Sequence, residues 1–73
     1  MDLSQFVKEK RKSLGLTQEE LSVKAGVGLR FVREMEQGKQ TLQMSKVNQV
    51  LKLFGYELGP KAINRSTLLN EKS

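Results

Sequence analysis

Cysteine and histidine are both absent from the 73 residues of this sequence. Without cysteine the chain forms neither disulfide bonds nor thiolate metal sites, and a reducing cytoplasm is the compartment that fits. Without histidine it lacks the commonest general base and the commonest neutral metal ligand. No apolar run approaches the ~20 residues that cross a bilayer, and the N-terminal residues show no apolar signal region. We therefore expect no metal, no other cofactor, no membrane association and a cytoplasmic location.

Positive charge is in excess, with 13 Lys and Arg against 8 Asp and Glu and a net charge of +5. In a chain of this length the excess suits a polyanionic partner such as nucleic acid, although basic charge alone discriminates weakly. The adjacent carboxylates Glu19 and Glu20 point to different faces of a helix, which argues against paired acid and base catalysis. The sequence thus predicts no enzyme, no catalytic residues and no small-molecule substrate.

Apolar residues recur at helical spacing in four segments, each followed by a glycine that predicts the helix end. The predicted helices cover about residues 2–14, 17–25, 28–37 and 43–54. Asp2 is the expected N-cap of the first helix, and Thr17 with Glu20 forms a capping box at the second. The apolar positions of the fourth helix form one stripe: Met44, Val47, Val50, Leu51 and Phe54.

The chain beyond Gly55 has a different pattern. Residues 56–60 alternate apolar and polar side chains and end on Gly-Pro, which predicts a short edge strand. Residues 61–73 are polar apart from Ile63 and the Leu68-Leu69 pair, and we expect a flexible tail there. The sequence therefore predicts one domain over residues 1–60, followed by a tail over residues 61–73.

The segment from Thr17 to Gly38 carries the pattern of a helix-turn-helix, in which a short capped helix and a second helix flank a tight turn. The turn around Gly26 and Val27 is too short for the two helices to lie antiparallel. They must therefore cross, and the second helix faces outward, where it can enter a DNA major groove.

Three motifs carry a family resemblance: LGLTQEEL at 14–21, AGV at 25–27 and MEQGK at 35–39. Together they resemble the Cro/phage-repressor (XRE) helix-turn-helix family over about residues 3–55. The resemblance implies an all-α, four-helix lambda-repressor-like domain that binds double-stranded DNA at an inverted-repeat operator. As a transcriptional repressor, such a protein would work at the nucleoid.

The continuation FGYELG at 54–59 more closely resembles HipB-like antitoxins, in which a short C-terminal strand pairs across a dimer. This resemblance implies a homodimer with Tyr56 and Leu58 at its interface, and a HipA-like kinase toxin as partner. The antitoxin would repress its own operon. The alternative is a free-standing regulator, such as a phage-type repressor or a restriction-modification controller, for which a compact fifth helix would be typical.

The expected DNA contacts lie on the third helix and around it. Arg30 and Arg33 are three residues apart, so both can face the groove and bind guanine or phosphate; Leu29 could meet a thymine methyl. A solvated helix face is the alternative for both arginines, and we favour it for Lys8, Lys10 and Lys12. The family resemblance adds contacts at the start of the second helix and in the loop after the third, near which Lys46 is a further candidate. The predicted DNA-binding residues are then Gln18, Gly28, Leu29, Arg30, Arg33, Gln37, Lys39 and Gln40.

A structural ion pair completes the expectations. By the same family resemblance, Arg11 and Glu36 form a partly buried pair between the first helix and the end of the third. Removing one partner would leave an uncompensated charge in the protein interior.

Overall fold

Four helices make up the ordered framework of residues 2–63, the part of the chain that the computed structural model describes. They are α1 at Leu3–Ser13, α2 at Gln18–Ala25, α3 at Leu29–Glu36 and α4 at Met44–Leu53. The predicted all-α architecture is confirmed. Each predicted helix is one residue longer than the observed one at each end, except that α2 ends at residue 25 as predicted; the extra residues are the caps.

Side-chain caps begin the first two helices. The Asp2 carboxylate accepts a hydrogen bond from the Gln5 backbone N–H at 2.9 Å. At α2 the Thr17 hydroxyl accepts from the Glu20 N–H at 3.1 Å, and the Glu20 carboxylate accepts from the Thr17 N–H at 2.8 Å. The predicted capping box is therefore present, and it satisfies two backbone donors that the helix itself cannot pair.

All four helices end in the same way, with a glycine of positive φ immediately after the last turn: Gly15, Gly26, Gly38 and Gly55. After α3, the Lys39 N–H donates to the Glu34 carbonyl at 3.0 Å and the Gly38 N–H donates to the Met35 carbonyl at 3.2 Å. This pair of bonds is the Schellman motif, which needs the left-handed conformation that glycine adopts without strain. It turns the chain so that Lys39 lies back against the last turns of α3.

The core lies between the helices, and α3 packs against both α1 and α2. Its buried apolar members are Val7, Leu21, Val32, Met35, Val47, Val50 and Leu51. The sequence prediction for Met44 was wrong, because this side chain is 68% exposed rather than part of the apolar stripe. Met44 is the first residue of α4, and it lines a shallow groove with Leu58 at the rim of the core. No helix among residues 2–63 is long and apolar enough to cross a membrane.

Residues 56–63 have no regular secondary structure in the single chain, although contacts of Tyr56 and Leu58 hold their beginning in place. The Tyr56 ring packs edge-to-face on Phe6 with 4.9 Å between the ring centroids. The Leu58 backbone N–H donates to the Asn48 side-chain oxygen at 2.7 Å. The sequence predicts a strand here that would pair with a second copy of the chain; the single chain forms no strand at these residues, and the pairing stays a prediction. The Leu68-Leu69 pair and most of the predicted tail lie outside the described residues.

Candidate nucleic-acid interface

The turn at residues 26–28 makes α2 and α3 cross, and it leaves one face of α3 directed away from the core. Gly26 ends α2 with φ 72° and Gly28 is the N-cap of α3. Val32, Met35 and Glu36 are buried on the inner face of the helix. The outward face of α3 consists of the residues at helical spacing on the other side, which are Leu29, Arg30, Arg33, Glu34 and, at the C-cap, Gln37.

An open cleft joins this face to the start of α2. Leu29 and Arg33 line it from α3, while Thr17, Gln18 and Glu19 line it from the other side. The first backbone N–H groups of a helix have no partner within the helix and carry partial positive charge, so a helix start suits an anion such as a phosphate. The cleft therefore places an arginine, a partly exposed leucine and a helix N-terminus on one surface.

The second half of the outward face is organised around Glu34. The Lys39 ammonium donates to Glu34 Oε2 at 2.9 Å, and Arg30 Nε lies 3.8 Å from the same oxygen. The hydrogen bond from Lys39 lowers the pKa of the Glu34 carboxyl, with the nearby charges of Lys39 and Arg30 adding to the effect. The Arg30 side chain is 92% exposed, so this ion pair leaves its guanidinium accessible to a partner.

The loop after α3 is exposed from Gln37 to Thr41. The Gln40 amide lies 3.4 Å from the Gly38 carbonyl. From α4, the Lys46 ammonium lies 6.0 Å from the centroid of the Phe31 ring, which places a further cation beside α3. The loop and Lys46 therefore extend the polar and basic surface from the outward face of α3 towards α4.

A buried cluster of polar side chains supports this surface from behind. Arg11 Nε donates to Glu36 Oε2 at 2.7 Å, and Arg11 Nη2 donates to Glu36 Oε1 at 3.0 Å. Arg11 Nη1 donates to the Leu16 carbonyl at 2.8 Å. The Gln18 amide donates to Glu36 Oε1 at 3.2 Å. These bonds connect α1, the following loop and the start of α2 to the end of α3. The hydrogen bonds to Glu36 also raise the pKa of the Arg11 guanidinium above its ordinary value.

The structure thus brings most of the predicted DNA-binding residues onto one side of the molecule, around the outward face of α3. Gln18 has one amide proton committed to Glu36, which leaves the other for the predicted contact with a phosphate or base edge. Sequence analysis did not single out Glu34, although its spacing four residues after Arg30 is a visible ion-pair signal. Among residues 2–63, no cluster of three acidic side chains could hold a metal ion.

Comparison with known proteins also identifies a helix-turn-helix domain. A helix-turn-helix family, HTH_3, matches residues 7–61. A relative from Sinorhizobium fredii, named as an uncharacterised HTH-type transcriptional regulator y4mF, is 48% identical over 54 residues. That match covers 74% of this chain and 71% of the relative. The chain therefore belongs to the XRE-type helix-turn-helix family that its sequence motifs resemble.

Proposed function

We propose that this chain is a sequence-specific, DNA-binding transcriptional repressor whose α3 enters the major groove of its operator. Family membership makes it a helix-turn-helix regulator of the XRE type, which binds DNA. The observation that carries the assignment to α3 is its outward face, where Arg30 and Arg33 are exposed and Arg33 lines the cleft at the start of α2. It acts in the cytoplasm, at the nucleoid.

The chemistry of this face fits the edges of base pairs. Arginine donates two parallel hydrogen bonds to guanine O6 and N7, and Leu29 offers an apolar contact for a thymine methyl group. Lys39 and the free amide proton of Gln18 are placed to bind phosphates, which position a protein on DNA without reading its sequence. Gly28, Gln37 and Gln40 border the same surface and bring backbone and amide groups to the sugar-phosphate strand.

Selection from a pool of random duplexes tests this proposal. We expect an enriched inverted repeat whose half-sites lie one helical turn apart, roughly 34–36 Å. Replacing the arginine that binds a base by alanine should cost about 1–3 kcal/mol and relax the preference at one position only. Lys52→Ala, which removes a charge at the far end of α4, serves as the control and should leave the preferred sequence unchanged. A selection that enriches no motif would overturn the proposal.

Two observations favour a homodimer that serves as the antitoxin of a HipA-like kinase toxin. Seven large apolar side chains are exposed among residues 2–63, and four of them lie at residues 53–63: Leu53, Tyr56, Leu58 and Ile63. No fifth helix begins between α4 and residue 63, whereas phage repressors typically continue into one. An exposed apolar segment is expected where a chain associates with a second copy or a partner.

Co-purification with the product of the neighbouring gene tests the antitoxin proposal. A toxin that binds the DNA-competent dimer more tightly than the other states of the protein tightens operator binding by the same factor, because coupling between two ligands is reciprocal. An operator titration with and without the neighbouring protein measures this coupling. If no complex forms, or if the complex leaves operator affinity unchanged, the function is that of a free-standing XRE-type regulator.

A further inference from the structure

Glu34 is an acidic residue on the surface where a polyanion is to bind. On the outward face of α3 it lies one helical turn after Arg30 and next to Arg33. Its side chain is 26% exposed, so the carboxylate is neither buried in the core nor free in solvent. A negative charge at this position repels the phosphates of DNA, so we expect Glu34 to make a favourable contact that offsets this repulsion.

The carboxylate is held in one orientation mainly by a single neighbouring residue. The Lys39 backbone N–H binds the Glu34 carbonyl at 3.0 Å, and the Lys39 ammonium binds Glu34 Oε2 at 2.9 Å. Arg30 also approaches Oε2. No hydrogen bond from residues 2–63 reaches Oε1, so this oxygen remains a free acceptor on an ionised, oriented group.

Few groups of DNA can donate to such an acceptor. In the major groove the donors are the amino groups of cytosine N4 and adenine N6. Adenine presents its N7 acceptor beside N6, and a carboxylate is repelled by a second acceptor, whereas cytosine presents no such group. A carboxylate therefore selects cytosine.

We propose that Glu34 is a specificity-determining residue that accepts a hydrogen bond from cytosine N4 in each half-site of the operator. The inference rests on the proposed docking of α3 in the major groove. Arg30 lies roughly 6 Å away along the helix axis, which is about two base-pair steps. The pair of residues thus recognises a guanine and a cytosine close together, and Lys39 keeps two ammonium protons for a phosphate.

The competing explanation is that Glu34 serves only to anchor Lys39 and the loop after α3. Base preference distinguishes the two roles, because an anchor affects all sequences alike. Glutamine has nearly the shape of glutamate but donates and accepts, so it pairs with adenine N6 and N7. Glu34→Gln should therefore change one preferred base from cytosine to adenine, and Glu34→Ala should abolish the preference at that position.

The experiment is selection from random duplexes with the wild type, Glu34→Gln, Glu34→Ala and the control Glu9→Gln. The control removes the same charge from the exposed surface of α1. For the wild type, replacing the critical cytosine should weaken binding about 5- to 150-fold, the usual cost of one wrong base pair. For Glu34→Ala the same replacement should change binding less than about twofold, and Glu9→Gln should keep the cytosine.

A titration of the wild type and Glu34→Gln against operators with each G·C pair replaced shows that the variant is folded, because it should keep the wild-type sensitivity at every pair but one. If the wild type enriches a motif and the Glu34 variants keep the same base at every position, the inference is wrong and α3 docking stands. A motif without any G·C pair overturns it as well. If the wild type enriches no motif, the proposed function fails, and this inference fails with it.

Discussion

Arg11 and Glu36 form a bidentate ion pair across 25 residues of sequence, with Nε–Oε2 and Nη2–Oε1 distances of 2.7 and 3.0 Å. The Glu36 side chain is 2% exposed and that of Arg11 is 13% exposed. The pair joins α1 to the end of α3, and Gln18 adds the start of α2. The helix that is proposed to recognise DNA is therefore held by hydrogen bonds as well as by apolar packing.

Glu36→Ala should destabilise the protein by about 3–5 kcal/mol, because it leaves the Arg11 charge buried without its partner. Urea unfolding at fixed protein concentration measures the loss. Glu9→Ala, at an exposed position of α1, is the control and should change the free energy of unfolding by less than about 0.5 kcal/mol. The double replacement Arg11→Met with Glu36→Leu should recover much of the loss, since no charge is then left unpaired. A loss below about 1 kcal/mol for Glu36→Ala would contradict this account.

The capping box predicts a pH dependence. The Thr17 backbone N–H is the main cause that lowers the pKa of Glu20 below its ordinary value near 4.5. Because the folded-state pKa is the lower one, the box contributes its full stability above about pH 4.5. This contribution is lost as the pH falls through the lowered value. Glu20→Gln keeps a hydrogen-bonding side chain but cannot ionise, so its stability should fall less steeply below pH 4.5. Equal slopes for wild type and variant, in thermal unfolding across this range, would refute the prediction.

The helices and their ends were predictable because their signals are local. Thr17 and Glu20 are three residues apart, and each helix is followed by a glycine within one or two residues of its end. Periodicity could not show how far the core extends, so Met44 was placed on the apolar stripe although it lies at the rim.

The contacts that shape the candidate site are not local, and spacing could not predict them. Gln18 and Glu36 are 18 residues apart, and Asn48 reaches the backbone of Leu58 across the end of α4. The Arg11–Glu36 pair was expected only through the family resemblance. The spacing of Glu34 to Arg30 indicates an ion pair, but an acidic residue is not expected on a surface that binds a polyanion.

Lys39→Ala should weaken binding to random duplexes as well as to the operator, because its proposed partner on DNA is a phosphate. The slope of log K against log salt concentration should become shallower by about one unit for each phosphate that the variant no longer neutralises. Operator and random duplexes titrated at several salt concentrations measure both effects. Lys52→Ala removes an equal charge from the last turn of α4 and should leave the slope unchanged. Undiminished binding to random duplexes would contradict the proposed phosphate contact.

Asn48→Ala should weaken the proposed homodimer. The Leu58 N–H binds the Asn48 side chain, and in an extended strand the backbone groups of neighbouring residues point to the opposite edge. The groups of Glu57 and Gly59 are then directed outward, where an antiparallel second copy can pair with them. Without the Leu58 bond the segment is no longer held against α4 in either protomer, so the dimer loses two hydrogen bonds.

One hydrogen bond contributes about 0.5–1.5 kcal/mol, and because the monomer makes it too, losing two should raise the dimer dissociation constant by at most roughly 5- to 150-fold. Sedimentation equilibrium of wild type and variant measures this change. Gln49→Ala is the matched control on the same helix, because within residues 2–63 its amide makes only the long contacts of 3.4 and 3.5 Å to Ala25 and Gly26. A wild type that stays monomeric at high micromolar concentration would contradict the dimer itself. An Asn48→Ala dimer as tight as the wild type would instead show that the hydrogen bond to α4 does not prepare this segment for pairing.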